Sequence, residues 1–310
     1  MNFLKKWYTY QKERFPVVTF GLYIFCIVFA VFCFSNASKE ILINNYKMFL
    51  ETINTPKIEC IKIIPMFIVA FLQFLMVRII DEFKDYEEDC KYRPYRPVPR
   101  GLVTLKELKI LFIICAILQV AITFLFNEEG LILLALVWAF SGLLSKNFFM
   151  KKFIDKHMLF GVFLDELLMP VLVMYLSSYI ITPNMCMEAL FFSNLGEILL
   201  ISYLVSWTVE IARKLRCKED EEEGVKTYTA VFGIGKATLI LVVLETLLML
   251  TQIKALGIAH LPWIIGVYVL TNITNLLFAK NKTKKLAKIT ELSANIYIII
   301  IYISMGLLII

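Results

Sequence analysis

The sequence has few histidines, and its cysteines lack the close spacing of a metal site. It contains two histidines, His157 and His260, and none of its seven cysteines forms a Cys-x-x-Cys pair. Both histidines lie near predicted helix ends, where an interfacial or capping role is expected, and most of the cysteines lie in apolar segments. We therefore expect no cysteine- or histidine-based metal site and no disulfide framework.

Charged residues are also scarce. They make up 19% of the 310 positions, whereas 59% are hydrophobic, and the mean hydropathy is +0.74. This composition excludes an ordinary soluble domain. Apolar segments of about 20 residues recur, which is enough to cross a hydrocarbon core of ~30 Å as a helix, and none alternates as a barrel strand does. The sequence therefore predicts an all-α integral membrane protein with nine spans, at 16–35, 61–83, 107–126, 130–145, 157–180, 195–216, 237–254, 259–279 and 290–310.

No linker, low-complexity tract or internal repeat divides the chain. Residues 1–310 are therefore expected to form a single membrane-embedded domain. The start of the chain is charged and aromatic for too long to be a signal peptide, and no small-residue cleavage site follows the first apolar segment. We expect that segment to remain in place as a helix.

The net charge of +6 is interpreted as a signal of topology and not of nucleic-acid binding. With the N-terminus in the cytoplasm, one side of the membrane receives the basic segments, as the positive-inside rule requires. These segments are 91–106, 146–156, 213–218 and 280–288. An odd number of helices then places the C-terminus outside. The loop 36–58 also lies outside and is expected to carry a short interfacial helix.

An acidic cluster follows the second predicted helix. At ~100° per residue, four carboxylates fall within roughly a 100° arc of one helix face: Asp81, Glu82, Asp85 and Asp89. Their repulsion is costly near hydrocarbon unless a cation lies among them, and carboxylates that leave room for phosphate oxygens suit Mg²⁺. The same spacing also fits a solvated acidic helix end paired with Lys84 and Lys91.

A second acidic segment, 210–223, follows the sixth predicted helix. Because both clusters follow even-numbered helices, they are expected on the same membrane face. Two facing sets of carboxylates can hold two metal ions around one diphosphate, while arginine and lysine neutralise its remaining charge. For the acidic run 221–223, a solvated loop is the alternative interpretation.

Two further acids lie inside an apolar helix. Asp165 and Glu166 are functional candidates because intramembrane carboxylates are expensive to maintain, and either is a candidate base or acceptor-orienting group. The alternative is that they pair with Lys152 or Lys156 near the interface. For Glu245, an interhelical packing or hydrogen-bonding role is expected.

These features resemble the UbiA superfamily of intramembrane prenyltransferases. Its first signature, NDxxDxxxD, is similar to DEFKDYEED (81–89), in which Asp replaces Asn and Glu replaces the second acid. The arginine and RPL-Gly stretch that follows in the family is similar to RPYRPVPRG (93–101), the most specific part of the resemblance. The family's YPxxKR loop resembles NFFMKK (147–152), which keeps the basic pair and lacks the tyrosine.

The family's second signature, DxxxD followed by Gly and then Thr or Ser, is half kept. Asp220, Gly224 and Thr227 match its second half, and VFG (231–233) matches the residues that usually follow. The first acid of the signature falls at Arg216, which is a departure from the family.

Glu210 or Glu219 is the candidate replacement for that acid. Glu210 is favoured because it lies about three turns inside the helix, where an uncompensated charge is expensive.

The resemblance implies a fold of about nine transmembrane helices around a central cavity, and it implies roles for individual residues. The implied metal ligands are Asp81, Glu82, Asp85, Asp89, Glu210 and Asp220. The implied diphosphate-binding residues are Arg93, Arg96, Lys151, Lys152, Arg213 and Lys214. The implied catalytic residues are Asp81, Asp85, Asp220 and Lys151.

The resemblance also implies an activity. With Mg²⁺ as cofactor, the protein is expected to ionise an allylic prenyl diphosphate on the cytoplasmic side. It is then expected to transfer the prenyl group to a lipophilic, aromatic acceptor. The expected enzyme class is that of transferases of alkyl or aryl groups other than methyl. One alternative is a terpene cyclase of the same fold, which needs no acceptor. A cation transporter that uses the acidic face is a remoter alternative.

Overall fold

The fold predicted from the sequence is confirmed in the computed structural model, which describes residues 3–47, 60–182 and 195–308. Within these ranges, nine helices are long and apolar enough to cross a membrane, and each overlaps one predicted span. These spans are Val17–Ser38, Cys60–Lys84, Leu105–Phe126, Glu128–Ser145, Met158–Ser177, Leu195–Arg213, Ile234–Leu256, Ile258–Asn281 and Lys284–Leu308.

The helices that carry these spans are joined by short connections, several of which hold helices of their own. In chain order the helices are α1 (Phe3–Arg14), α2 (Val17–Lys47), α3 (Ile63–Lys84), α4 (Tyr86–Tyr92), α5 (Leu105–Phe126), α6 (Leu131–Ser145), α7 (Lys151–Lys156), α8 (Met158–Asp165), α9 (Leu168–Ser177), α10 (Leu195–Arg213), α11 (Tyr228–Phe232), α12 (Ile234–Leu256), α13 (Leu261–Asn281) and α14 (Lys284–Leu308).

The spanning helices pack as a closed bundle. Helices α12, α13 and α14 contact one another in sequence, α10 packs on α12 and α9, and α14 returns to pack along α2. The apolar core is continuous from α2 to α14. At the other side of the bundle, α5 packs mainly on α3.

Several polar side chains inside the bundle find partners on neighbouring helices, as is favourable where water is absent. Gln73 Nε2 on α3 donates to Ser141 Oγ on α6 at 3.0 Å. Gln119 Nε2 on α5 donates to the Val69 carbonyl at 3.1 Å, and Trp138 Nε1 donates to Gln119 Oε1 at 2.9 Å. These bonds fix α3, α5 and α6 relative to one another and so help to position the end of α3.

Three features depart from the predicted layout. The charged start of the chain forms a helix of its own, α1, ahead of the first span. Helix α2 continues to Lys47, so the first part of the predicted loop 36–58 extends the spanning helix, whereas residues 48–59 lie outside the described residues. The predicted span 157–180 is two helices, α8 and α9, broken near Pro170, whose ring nitrogen cannot donate a helical hydrogen bond.

Candidate active site

The acidic helix end after the second span is bent at Asp85. Helix α3 ends at Lys84, α4 begins at Tyr86, and Asp85 between them has φ −96° and ψ 1°. The hydrogen bonds Asp85 N to Asp81 O (2.9 Å) and Asp89 N to Asp85 O (2.8 Å) still bridge the bend. Asp81 and Glu82 lie before the bend and Asp89 lies after it, and the four carboxylates fall into two pairs with different surroundings.

The buried pair is Glu82 and Asp89, and both carboxylates lie against arginines. Glu82, whose side chain is 1% exposed, forms an ion pair with Arg14 of α1 and lies 3.6 Å from Arg78. Asp89 Oδ2 accepts a hydrogen bond from Arg96 Nη1 at 2.6 Å. These contacts give both acids a structural partner, and their predicted role as metal ligands stays a prediction.

The remaining pair, Asp81 and Asp85, is partly open to its surroundings. The Asp81 side chain is 43% exposed and its only ion-pair contact in the described chain is Arg78 at 3.6 Å. Asp85, Lys84 and Arg213 of α10 lie close enough to act electrostatically on Asp81. The end of α10 therefore lies within electrostatic range of Asp81 at the end of α3.

The basic stretch after α4 serves partly to hold Asp89. Arg93 Nε lies 3.2 Å from Asp89 Oδ1 and Arg93 Nη2 lies 3.7 Å from Glu88 Oε1. Arg100 donates two hydrogen bonds to Glu13 on α1, at 3.0 and 2.8 Å. The predicted diphosphate-binding residues Arg93 and Arg96 are thus engaged by the first signature itself.

Glu210, the candidate replacement acid, lies at the centre of a charged cluster on α10. It contacts Arg213 at 2.5 Å and Lys214 at 2.5 Å, and Tyr228 Oη donates to Glu210 Oε1 at 3.3 Å. Burial, and then the charge of Glu210, raise the pKa of Tyr228 well above its usual range, so this hydroxyl stays a proton donor. The arrangement fixes two cations at the end of α10.

Asp220 lies in the loop after α10 and pairs with Lys284 at the start of α14. The hydrogen bond from Lys284 is the main reason why the pKa of Asp220 lies below its usual range. Cys217 Sγ lies 3.8 Å from the same carboxylate. Asp220 is therefore tied to α14 and closes the loop onto the bundle.

The run 221–223 is not a featureless acidic loop. Glu221 accepts hydrogen bonds from Thr227 (2.6 and 2.7 Å) and Thr229 (2.8 Å). Thr227 also accepts from Ala230 N at 3.0 Å, which caps α11. Thr227 of the second signature and Glu221 thus shape the turn that leads into α11 and α12.

The two signature segments touch each other. Tyr95 Oη donates to Glu222 Oε2 at 3.3 Å. A Cβ placed on Gly224 would lie 2.4 Å from the ring of Tyr92, and Gly224 has φ +75°, so only glycine fits there. The placement of both segments at one end of the bundle, predicted from helix parity, is what the structure shows.

Lys151 and Lys152 lie exposed on α7, after a turn with unusual backbone geometry. Asn147, Phe148 and Phe149 have φ of 47°, 52° and 58°, a left-handed conformation that costs non-glycine residues energy. Helix α7 lies beside the second signature loop, because Lys226 Nζ lies 3.9 Å from Asp155 Oδ1. The basic pair is therefore held at the same end of the bundle as both signatures.

Asp165 and Glu166 lie where α8 ends, within electrostatic range of the cluster. The charges that act on Asp165 include those of Lys84, Asp81, Glu210 and Lys214. Neither acid forms an ion pair with Lys152 or Lys156 in the described part of the chain. Glu245 is separate from this region: it is fully buried and accepts a hydrogen bond from Asn275 at 2.6 Å, the interhelical role expected for it.

The donor set fits a divalent ion that is shared with a ligand. Among the described residues, no three His, Cys, Asp or Glu side chains are close enough to hold an ion by themselves. Mg²⁺, however, is usually held by one or two carboxylates together with phosphate oxygens. Asp81 and Asp85 supply such a partial set, so the residues present fit the ion.

Three residues near the site were not singled out from the sequence. Arg78 stands three and four residues before Asp81 and Glu82, a spacing that places it beside both on a helix and would have identified it. Arg14 and Lys284 come from the opposite ends of the chain. Only the tertiary fold brings them to the signatures.

The comparisons with known proteins agree with this architecture. A sequence model of the UbiA prenyltransferase family matches residues 48–299. No curated protein sequence matches the chain significantly. A structure described as a digeranylgeranylglyceryl phosphate synthase in membranes shares the fold, with a TM-score of 0.62 and 20% identity over 98% of this chain and 99% of that one. An apo UbiA homologue from Aeropyrum pernix K1 is similar, with a TM-score of 0.61 and 14% identity over 90% of this chain and 94% of that one.

Since the family match spans both signature segments and most of the nine-helix bundle, this chain belongs to the UbiA prenyltransferase family.

Proposed function

We propose that this protein binds an allylic prenyl diphosphate with Mg²⁺ at the open carboxylates Asp81 and Asp85 and transfers the prenyl group to a lipophilic acceptor. The observation that carries the proposal is the division of the first signature. Glu82 and Asp89 are neutralised by Arg14 and Arg96, whereas Asp81 and Asp85 stay partly accessible, with Arg213 acting electrostatically on Asp81. Two open carboxylates beside several cations suit a ligand that is itself an anion bound to a divalent ion.

The cations around these carboxylates are placed to take up charge on the leaving group. Arg213 and Lys214 are fixed by Glu210, and Arg78 lies between Glu82 and Asp81. Guanidinium groups bind phosphate oxygens with two parallel hydrogen bonds, which favours the separated diphosphate over the ester. When bound, Mg²⁺ supplies further stabilisation of that negative charge. Lys151 and Lys152 are proposed to reach the diphosphate from α7, and Arg93 and Arg96 to support it through Asp89.

The acids Asp165 and Glu166 are proposed to act on the acceptor. They lie where α8 meets α9, and no lysine or arginine neutralises them by direct contact in the described chain. A carboxylate there is positioned to orient an acceptor hydroxyl or to accept a proton released on alkylation. The likeness to a digeranylgeranylglyceryl phosphate synthase favours transfer to an acceptor over cyclisation.

The metal-site assignment is tested with Asp85→Asn. Purified protein in lipid is incubated with geranyl, farnesyl or geranylgeranyl diphosphate and Mg²⁺, and pyrophosphate release is measured. We expect Asp85→Asn to abolish release while the protein inserts and purifies normally, since Asp85 makes no ion pair in the described chain. Glu87→Gln, an exposed neighbour in the same acidic segment, is the control and should behave as wild type. Wild-type turnover of Asp85→Asn would refute the assignment.

The same reaction separates transfer from cyclisation. Products are analysed with and without a mixture of lipophilic acceptors, including aromatic acids, quinones and isoprenoid glycerol phosphates. Prenylated acceptor is the expected product. Cyclic hydrocarbon or alcohol formed in the absence of any acceptor would overturn the transferase proposal in favour of a terpene cyclase.

The proposed orientation places the signatures on the cytoplasmic side, together with the N-terminus. The support is the clustering of basic segments at that end of the bundle. A membrane-impermeant thiol reagent tests it, because Cys90 on α4 is exposed. Cys90 should react in inside-out vesicles and be protected in intact cells.

A further inference from the structure

Helix α1 precedes the first span, yet it is attached to the candidate site by three ion pairs. Lys6 contacts Glu107 at 2.5 Å, Glu13 contacts Arg100 at 2.8 Å, and Arg14 contacts Glu82. The first two pairs are partly exposed, and exposed pairs contribute little to affinity or stability. The third is buried, with side chains that are 9% and 1% exposed.

Glu82 joins that buried pair to the open carboxylates. Its Oε1 atom contacts both Arg14 Nε and Arg78 Nη2, the latter at 3.6 Å. Arg78 Nη1 in turn lies 3.6 Å from Asp81 Oδ2. A continuous chain of alternating charges therefore runs from α1 through Glu82 and Arg78 to Asp81.

This row of charges holds Arg78 but does not use all the hydrogen-bond donors of its guanidinium group. Both of its carboxylate contacts, at 3.6 Å, are longer than the ~2.7–2.9 Å of a direct charge-assisted hydrogen bond. Its Nε–H is buried and has no hydrogen-bond partner among the residues that the structure describes, and an unpaired buried donor is costly. The Arg78 guanidinium thus lies between Glu82 and Asp81 and still has an N–H group that can donate a hydrogen bond to a further anion.

We propose that Arg14 is a positioning residue: by neutralising Glu82 from the α1 side, it leaves Arg78 free to face Asp81 and bind the diphosphate. This inference rests on the proposed function and adds the N-terminal helix to the diphosphate end of the site. Without Arg14, the buried Glu82 has one cation left within reach. Arg78 then closes onto Glu82 as a direct pair and withdraws from the ligand, because a buried carboxylate cannot remain unpaired.

The test compares Arg14→Met, Arg14→Lys and Lys6→Met. Lys6→Met is the matched control, since it removes another ion pair of the same helix that does not involve Glu82. Two quantities are measured: the Kd of inorganic pyrophosphate with Mg²⁺, and KM and kcat for pyrophosphate release from a prenyl diphosphate. We expect Arg14→Met to raise Kd and KM by roughly tenfold or more, the effect of losing one charged hydrogen bond, and to lower kcat as well, because Arg78 also stabilises the separated diphosphate.

Arg14→Lys should recover most of the affinity, and Lys6→Met should match wild type. Wild-type Kd and KM in Arg14→Met, or an equal rise in Lys6→Met, overturn the inference. If Arg14→Met fails to fold, Arg14→Gln replaces it, because a neutral glutamine can still donate a hydrogen bond to the buried Glu82. The expected rise in Kd and KM is the same, and wild-type values in Arg14→Gln overturn the inference as well.

The same measurements distinguish a failure of the proposed function from a failure of the inference about Arg14. If wild-type protein binds no pyrophosphate and releases none from any prenyl diphosphate, both proposals are overturned. If wild type binds and turns over while Arg14→Met is indistinguishable from it, only the role of Arg14 is overturned.

Discussion

Asp89 offers the sharpest test of how the first signature is divided. Its carboxylate is 2% exposed and contacts Arg96 at 2.6 Å and Arg93 at 3.2 Å. Asp89→Asn keeps the shape and removes the charge, leaving two arginines packed against a neutral amide. Breaking a buried pair from one side costs ~3–5 kcal/mol. Because Arg93 and Arg96 retain some solvent contact, we expect a loss near the lower end, about 3 kcal/mol of unfolding free energy.

Asp85→Asn is the matched comparison, since it alters a carboxylate in the same segment that makes no ion pair in the described chain. Its unfolding free energy should change by less than about 1 kcal/mol. Both variants are unfolded reversibly in mixed micelles with increasing SDS, followed by circular dichroism. Equal stability of the two variants would refute the structural role of Asp89. A fully stable but inactive Asp89→Asn would instead favour its role as a metal ligand.

Two further predictions concern the second signature. Glu210→Gln should reduce turnover far more than Glu222→Gln, because Glu210 fixes two cations whereas Glu222 forms one partly exposed pair with Arg216. Equal, mild effects would show that another acid replaces the missing acid of the second signature. Lys284→Met should expose the buried Cys217 to dithiodipyridine at neutral pH. Since the folded pKa of Asp220 is lowered, the pair contributes fully above the usual aspartate pKa of about 3.9, and its contribution is lost as pH falls from there through the lower folded pKa. Wild-type labelling should therefore reach the variant's rate only in acid.

The spanning helices could be predicted from the sequence because hydropathy is a local property of ~20-residue segments. The same window fails for α1, whose Lys6, Glu13 and Arg14 resemble a soluble, charged start. Their partners lie far along the chain, at the end of the second span and on the loop and helix that follow it. Only the packing of α1 shows that these charges are paired, so the helix that reaches the candidate site was the one least visible in the sequence.

The helix period likewise predicted which carboxylates lie together but not what each one faces. Asp81 and Glu82 differ by one position, yet one is open and the other is buried against Arg14. The 100° that separates neighbouring residues on a helix is enough to turn one toward α10 and the other toward α1. Which acid binds an ion and which binds an arginine therefore depends on the neighbouring helices.

Arg216 shows how the second half of the site departs from the family pattern. Its guanidinium contacts the Asp220 carbonyl at 3.1 Å and Glu222 Oε1 at 3.3 Å, so it holds the loop where the family has an acid. Glu210, which lies in the last turn of α10, supplies negative charge but already carries two cations. This side of the site is thus richer in cations than in open carboxylates. We therefore expect it to contact mainly the diphosphate oxygens, and the metal to depend chiefly on the first signature.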